Sequence, residues 1–476
     1  MAPKMSLVNF ELFIGFAIPV FVGLSINYCL FQQRNLNFSL SLALAYGLGF
    51  GLLTQWMLLL GHFYFPFRIE NIGLPLITIA LFFLILRLRN YSKFPITASI
   101  PANGRQSDFP PFSKNSIFFH IFCLLMFFYI AYEICFVFWR ALNIPIYSWD
   151  ALYFIALKAK LFFYEGSLNL LKNFPWTYPV HGESYPLHVS LSETWIALNI
   201  GQWDDQRIKI LFPLTFVSYL ILHYSFIKTF TNKIWAIFSV VLVISSNLLT
   251  FHATISYSDL FMMYYNCTTI ILLLFWYKEK KDCYIILASL FSGFGTFVKL
   301  EGLGYSIIHG ALVMAILAQN KDYLLKEKFK KLFMFAIPAV VLYSNFGYYK
   351  FSQHIPAVSR LYFDITLASW ERIKIIFEQF ANNLFLTGNW NILWFLLFLS
   401  LVIYVKKIKE GVIGLLSMSL AMFFGLYFCL ALCSHYNFDT LVGKQSYISL
   451  SRVFLHFFPL SVWLIILLNY PKPIKS

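Results

Sequence analysis

Charged side chains are scarce in this sequence: Asp, Glu, Lys and Arg together make up 12% of its 476 residues. A water-soluble chain of this length would form about three domains, with roughly a quarter of its residues charged. Hydrophobic residues instead make up 59% of the chain and aromatic residues 20%. This composition excludes a set of soluble domains and indicates an integral membrane protein.

Motifs for binding metals, nucleotides and nucleic acids are also missing. The seven cysteines show no CxxC or Cys/His ligand spacing, so we interpret them as packing residues. The sequence has no GxGxxG, Walker A or HExxH motif, and we predict neither a cofactor nor a metal. The basic residues behind the net charge of +15 form no patch interleaved with aromatic residues, so no nucleic-acid partner is expected. No internal repeat is visible either, so the sequence gives no support to an inverted-repeat transporter.

Long apolar segments, by contrast, recur along the whole chain. About 20 apolar residues cross roughly 30 Å of hydrocarbon as a helix. The sequence therefore predicts an all-α polytopic membrane protein, a bundle of about 13 transmembrane helices. The predicted spans are residues 6–30, 38–62, 70–88, 116–139, 209–229, 234–251, 259–277, 283–298, 302–319, 332–350, 389–405, 411–433 and 452–470.

The connections between these spans indicate the domain organisation and the orientation. Residues 1–90 hold three leading spans, residues 91–115 form a linker rich in Pro and Ser, and residues 116–470 form the main module. Of the 36 Lys and Arg residues, 21 lie in one set of connections, which the positive-inside rule assigns to the cytoplasm. The long loops at residues 140–208 and 351–388 then face outward.

Both outward loops contain amphipathic segments that are typical of interfacial helices. The first begins at Asp150, and the second half of the same loop begins a helix near Tyr185 that stops at Gly201. On a helical wheel, six polar residues of the first segment fall within about 80° of one line: Asp150, Tyr153, Lys158, Lys160, Tyr164 and Glu165. The other loop contains ASWERIKIIFEQFANNLF, with an apolar face made of Ile373, Ile376, Phe377, Phe380 and Leu384.

Ionisable residues at the outward ends of spans are costly to keep, so each suggests a functional role. Asp150 opens the first loop helix, Asp259 opens a span, and Arg452 lies where the last span begins. Helix capping is the alternative for the two aspartates, since carboxylates favour helix N-termini. For Arg452 the alternative is a side chain that extends from the membrane to water.

Two further positions lie in outward turns. Lys299 and Glu301 lie in GTFVKLEGLGY, where the glycines would let the backbone approach a bulky ligand. An ion pair between the two is the alternative. His181 and Glu183 precede Tyr185 in the first outward loop. A histidine there can also be a solvated or hydrogen-bonded loop residue.

Carboxylates and cations from these separated positions are expected to meet at one face of the bundle, a layout that suits an anionic lipid headgroup. Sugar transfer from a polyprenyl phosphate needs a base for the acceptor and cations for the departing phosphate. The sequence favours Asp150 as the base. Lys299, Arg452 and Lys158 are the candidate phosphate ligands.

Short motifs in a fixed order carry a resemblance to a known family. They are WDAL followed by LKAK in the first outward loop, YPL before the second helix, YSDL at a span start, the VKLEG turn and SRVFLHFFP at the last span. Over about residues 116–470 the chain resembles the integral-membrane glycosyltransferases of the GT-C class. It resembles especially the bacterial family 39 type, related to protein O-mannosyltransferases and the lipid A aminoarabinose transferase.

The resemblance implies a GT-C-like bundle with Asp150 as the catalytic base and an undecaprenyl-phosphate-linked sugar as the donor. It places the site on the outer, periplasmic face of a bacterial inner membrane, with a glycan, lipid or protein as the acceptor. The three leading spans depart from the family pattern. Two other readings stay open: a glycolipid flippase or exporter, and an O-antigen ligase or polymerase. A transporter needs no single outward carboxylate, whereas the enzyme requires Asp150.

Overall fold

The computed structural model describes residues 5–31, 37–91, 117–175, 182, 184–355, 363–443 and 446–471. Over these residues the regular structure is helical, without strands. The helices are α1 Met5–Leu30, α2 Phe38–His62, α3 Ile69–Tyr91, α4 Ile117–Asn143, α5 Ala156–Glu165, α6 Leu170–Asn173, α7 His188–Ile200, α8 Leu211–Phe230, α9 Lys233–Ile244, α10 Asn247–His252, α11 Asp259–Glu279, α12 Asp282–Val298, α13 Gly302–Gln319, α14 Leu325–Ser352, α15 Trp370–Phe385, α16 Leu393–Ile403, α17 Gly411–Cys433, α18 His435–Leu441, α19 Ser446–Leu455 and α20 Phe458–Asn469.

Nine helices in the described part of the chain are long and apolar enough to cross a membrane. The α19–α20 pair, bent by 54°, would form a tenth span. The polytopic helical architecture is therefore confirmed, but the count of 13 is not. Three predicted spans contain the shorter helices α9, α12 and α16. At about 1.5 Å per residue, the 12 residues of α9 rise only about 18 Å.

Two of the short helices nevertheless reverse the direction of the chain. Asp150 follows α4, Asp259 begins α11 and Lys299 follows α12, yet their side chains belong to one cluster. Because α8 is long enough to cross a membrane, the α9–α10 segment must return the chain to the end it left. By the same argument, α12 returns the chain after α11.

Of the three leading helices, α2 packs against helices that follow the first long loop. The Tyr264 and Tyr265 hydroxyls on α11 donate to the Ala43 and Gly47 carbonyls on α2, at 2.7 and 2.8 Å. A Cβ atom at Gly47 would lie 2.4 Å from the Tyr264 ring, so glycine permits this approach. The proposed linker cannot be described, because residues 92–116 lie outside the described part of the chain.

The first outward loop differs from the predicted interfacial helix. Its first turn, Ala151–Ile155, is a π-helix, and α5 follows it. The predicted polar strip is wrong at Lys158, whose side chain is fully buried, whereas Lys160, about 160° away on the same regular helix, is exposed. The later α7 is almost entirely buried and packs against α1, α2 and α5, so it does not lie on the surface. It ends at Gly201 in the left-handed conformation, with φ at 75°, as the sequence predicts.

The second outward loop contains the predicted amphipathic helix, α15. Its Ile376 and Phe380 are buried, whereas Phe377 is 62% exposed, so the predicted apolar face is only partly covered. The Asn383 amide on this helix donates to the Ser451 hydroxyl on α19 at 2.8 Å. This bond helps to hold the helix that carries Arg452.

Candidate functional site

Arg452 joins two aspartates that are far apart in the sequence. Its Nη2 donates to Asp150 Oδ2 at 2.6 Å and to Asp259 Oδ2 at 2.8 Å, and its Nε donates to the same Asp259 oxygen at 3.1 Å. The guanidinium lies over the Tyr257 ring, 4.5 Å from the centroid, where a cation–π contact forms. The contacts of Arg452 therefore do not match the alternative of a side chain reaching to water.

Asp259 lies at the centre of the cluster and is fully buried. Besides the Arg452 contacts, its Oδ1 accepts hydrogen bonds from Lys299 Nζ and from His456 Nε2, both at 2.9 Å. Its side chain makes no capping hydrogen bond at the start of α11, where the N-cap is Ser258. A buried carboxylate is tolerated only when cations and hydrogen-bond donors compensate it, and here two cations do so.

Lys299 forms the predicted ion pair with Glu301, at 3.5 Å, but its shorter contact is with Asp259. Burial opposes the positive charge, yet the two carboxylates outweigh it and raise the pKa of Lys299 above its usual value. Burial acts against the Glu301 charge as well, and the Lys299 ammonium lowers the pKa of Glu301. Both groups are held in their charged forms.

The glycines after Lys299 are required for a different reason from the expected one. A Cβ atom at Gly302 would lie 2.2 Å from the Gly295 carbonyl oxygen, and one at Gly304 would lie 3.0 Å from Leu426. The glycines thus allow close packing within the bundle, where we expected access for a ligand. That expectation is wrong for Gly302.

Asp150 is the accessible carboxylate on the other side of Arg452. Its side chain is 28% exposed and makes no capping hydrogen bond to the helix it precedes. Its backbone N–H donates to the Tyr257 hydroxyl at 3.2 Å. Beside it, Trp149 and Tyr153 are 56% and 44% exposed. The Asp150 carboxylate therefore borders an exposed aromatic surface.

Sequence reasoning missed His456, which links the cluster to the bundle interior. Its Nδ1 lies 2.8 Å from the Tyr305 hydroxyl, which lies 2.5 Å from the Tyr427 hydroxyl. Its backbone carbonyl, at the bend between α19 and α20, accepts from the Asn266 amide at 2.8 Å. The available signal was its position four residues after Arg452, which places both on one helix face.

The remaining predicted residues are Tyr185, Lys158, His181 and Glu183. The Tyr185 hydroxyl lies 3.3 Å from the Ser258 hydroxyl, next to Asp259, and burial raises the pKa of Tyr185 to about 12. Lys158 Nζ lies 5.2 Å from the Tyr185 ring centroid. Burial lowers the pKa of Lys158 to about 7, which weakens its case as a phosphate ligand. His181 and Glu183 lie outside the described residues.

A second buried acid, Glu193 on α7, also escaped the sequence analysis. Its Oε1 accepts a hydrogen bond from the Ser256 hydroxyl, three residues before Asp259. Burial raises the pKa of Glu193 to about 8, so this carboxyl group is mostly protonated at neutral pH. It supports the segment that leads into the cluster without adding a charge to it.

The charged cluster is Asp150, Asp259, Lys299, Glu301 and Arg452. It combines one buried carboxylate, two cations and two partly exposed carboxylates at one end of the bundle. Such a group can bind an anion through its cations and accept a proton through an exposed carboxylate. Among the described residues, no three His, Cys, Asp or Glu side chains are arranged as a metal site. No family model, curated protein or solved structure matches the chain.

Proposed function

We propose that this protein is a glycosyltransferase that moves a sugar from a polyprenyl-phosphate donor to an acceptor at the membrane boundary. The observation that carries the proposal is the ion pair between Arg452 and the partly exposed Asp150. Lys299 is held beside them because it pairs with Asp259, which also pairs with Arg452. Two cations that could bind a phosphate and a carboxylate that could act as the base therefore belong to one connected set of ion pairs. The resemblance of the motifs to family 39 glycosyltransferases supports the same reaction.

Asp150 is the proposed general base. The acceptor hydroxyl attacks the anomeric carbon of the sugar, and its proton passes to the Asp150 carboxylate. The bond from the anomeric carbon to the phosphate oxygen breaks, and its electron pair leaves with the polyprenyl phosphate. Glu301 is equally exposed, at 28%, and its carboxylate pairs with Lys299. The family resemblance favours Asp150 as the base.

Arg452 and Lys299 are proposed to stabilise the phosphate as it leaves. Charge-assisted hydrogen bonds from cations are about twice as strong as neutral ones, and they strengthen as charge develops on the phosphate oxygen. Asp259 keeps both cations in place and is fully buried, so it is excluded from contact with the acceptor. Its role is to position the cations.

The surroundings of the cluster suit a lipid-linked donor. Trp149, Leu152 and Tyr153, which flank Asp150, are each at least 44% exposed. Exposed aromatic and aliphatic side chains next to charged groups are typical of a membrane boundary, where a polyprenyl tail stays in lipid and its headgroup reaches water. The distribution of basic residues supports an outward face for this boundary, and the family resemblance supports the periplasmic face of a bacterial inner membrane.

The test is a donor comparison with the full-length protein in liposomes. Polyprenyl-phosphate sugars and nucleotide sugars are supplied separately with a cell-envelope extract as the acceptor source. We expect labelled sugar to be transferred only from the polyprenyl-phosphate donor, with release of polyprenyl phosphate. Transfer from nucleotide sugars alone would contradict the proposal. Movement of an intact glycolipid across the bilayer without bond cleavage would favour the flippase alternative.

A further inference from the structure

The two carboxylates bound to Arg452 differ in accessibility. Asp259 is fully buried and held by Lys299 and His456 as well. The Asp150 side chain is 28% exposed, and Arg452 is the ionic partner of its carboxylate among the described residues. Asp259 is therefore the more firmly held of the two partners of Arg452, and Asp150 is the more accessible one.

The geometry of the guanidinium shows which donors an incoming anion can use. Nε and Nη2 both point to Asp259 Oδ2, so the Nε side of the group is occupied. The second Nη2 hydrogen then serves Asp150. The opposite nitrogen, Nη1, makes no hydrogen bond to any described residue. A phosphate binds arginine best through two parallel hydrogen bonds, and the pair left to it is Nη1 and Nη2. Asp150 holds one of these two donors.

We propose that Asp150 is an internal substitute for the donor phosphate, which must displace it from Arg452 in order to bind. This inference rests on the proposed function and adds its order of events. Displacement frees Asp150 Oδ2 to accept the acceptor proton only after the donor is bound. The free enzyme thus keeps its base occupied until a phosphate arrives.

The local structure allows this exchange without moving the helix. The Asp150 backbone N–H is tied to the Tyr257 hydroxyl at 3.2 Å, and Tyr257 also carries the guanidinium on its ring. The side chain of Asp150 can rotate while its backbone stays in place. The partial exposure of the Asp150 carboxylate shows that the side chain is not enclosed.

The test measures equilibrium binding of undecaprenyl phosphate, the sugar-free lipid phosphate, to the full-length protein in detergent. Asp150→Asn removes the competing charge and is expected to lower the dissociation constant at least tenfold. Asp150→Ser should tighten binding as well, which guards against a folding defect in one variant. Loss of a residue that only supports the structure of the site would reduce both catalysis and phosphate binding. Tighter phosphate binding by a variant that has lost catalysis therefore distinguishes the proposed exchange from a structural role.

The matched control is Asp204→Asn, which removes a negative charge from the partly exposed ion pair with Arg207, outside the charged cluster. We expect it to change the dissociation constant less than threefold. Equal tightening by both substitutions, or no tightening by Asp150→Asn and Asp150→Ser, would overturn the inference. If either of these results is obtained and the wild-type protein still transfers sugar, the inference fails and the proposed function stands. If no variant binds undecaprenyl phosphate, both proposals fail.

Discussion

Two fully buried carboxyl groups lie in neighbouring regions of the molecule and have opposite surroundings. Asp259 faces Arg452, Lys299 and His456. Glu193 receives one hydrogen bond from Ser256, and its second oxygen has no hydrogen-bond partner among the described residues. Burial raises the pKa of Glu193 to about 8, whereas the Asp259 charge is matched by two cations.

The contrast shows that burial alone removes a charge and that partners restore it. In a chain with so few charged residues, the position where several converge is therefore informative. Useful acid–base chemistry also requires access to substrate, which neither Asp259 nor Glu193 has. The region around Asp259 gains that access through Asp150 and Glu301, each 28% exposed.

The largest expected effect comes from removing the charge of Asp259, the ionised member of this pair of buried carboxyl groups. Asp259→Asn leaves Arg452 and Lys299 without their shared counter-ion in a buried site. Removing one partner of a buried ion pair costs about 3–5 kcal/mol of unfolding free energy. We expect a marked fall in the melting temperature of the detergent-solubilised protein, measured by thermal unfolding.

Asp204→Asn is the control for this substitution. Asp204 lies in the loop after α7, and its Oδ1 accepts the backbone N–H groups of Gln206 and Arg207, which an Asn side chain can also do. Its ion pair with Arg207 is partly exposed and contributes little. Similar melting temperatures for Asp259→Asn and Asp204→Asn would contradict the assigned role of Asp259.

Glu193, the protonated member of the pair, is expected to make the stability of the protein depend on pH, an effect of intermediate size. Because the folded pKa of Glu193 is raised from 4.5 to about 8, the folded state retains a proton that the unfolded state loses. Stability from this group is fully present below about pH 4.5 and declines as pH rises towards 8. The nearby Lys209 lowers this pKa and Asp205 raises it.

Glu193→Gln removes this titration while keeping a neutral side chain of the same shape. We expect the melting temperature of the variant, relative to wild type, to increase from pH 5 to pH 8 and then to level off. Parallel melting curves for the two proteins across this range would show that Glu193 is not held protonated by the fold.

The smallest effect should follow from Ser256→Ala, which removes the hydroxyl that donates to Glu193. A single hydrogen bond of this kind contributes about 1 kcal/mol. The backbone path from Ser256 to Asp259 is unchanged, so undecaprenyl phosphate binding should remain at the wild-type level. A loss of binding would mean that the two regions are coupled more strongly than their contacts indicate.

Much of the helical architecture could be predicted from the sequence, because long apolar segments have few alternatives in a membrane. Asp150, Asp259, Lys299 and Arg452 could also be selected, since charges at span ends stand out. The burial of Lys158 could not be predicted, because Lys158 and Lys160 lie about 160° apart, at the two edges of the strip, and the wheel does not show which edge meets the bundle.

Tertiary contacts account for the other omissions. His456 and Glu193 lie inside apolar segments, where a sequence pattern gives no sign of the partner across the bundle. The pairing of Gly302 with Gly295 is equally a product of packing. The short helices α9 and α16 were predicted as spans because hydropathy extends beyond the helix ends, and local breaks such as Ser245 and Ser246 stop the helix early.

The most direct test of the central claim is the turnover number of Asp150→Asn, compared with Asp204→Asn, in the liposome transfer assay with a polyprenyl-phosphate sugar. Asn keeps the shape of Asp150 and can still accept a hydrogen bond from Arg452, but it cannot serve as the base. Loss of a general base slows turnover by about 10²–10⁴-fold. We predict a fall of that size for Asp150→Asn, with wild-type turnover for Asp204→Asn. Wild-type turnover by Asp150→Asn would contradict the assignment of this cluster as the catalytic site.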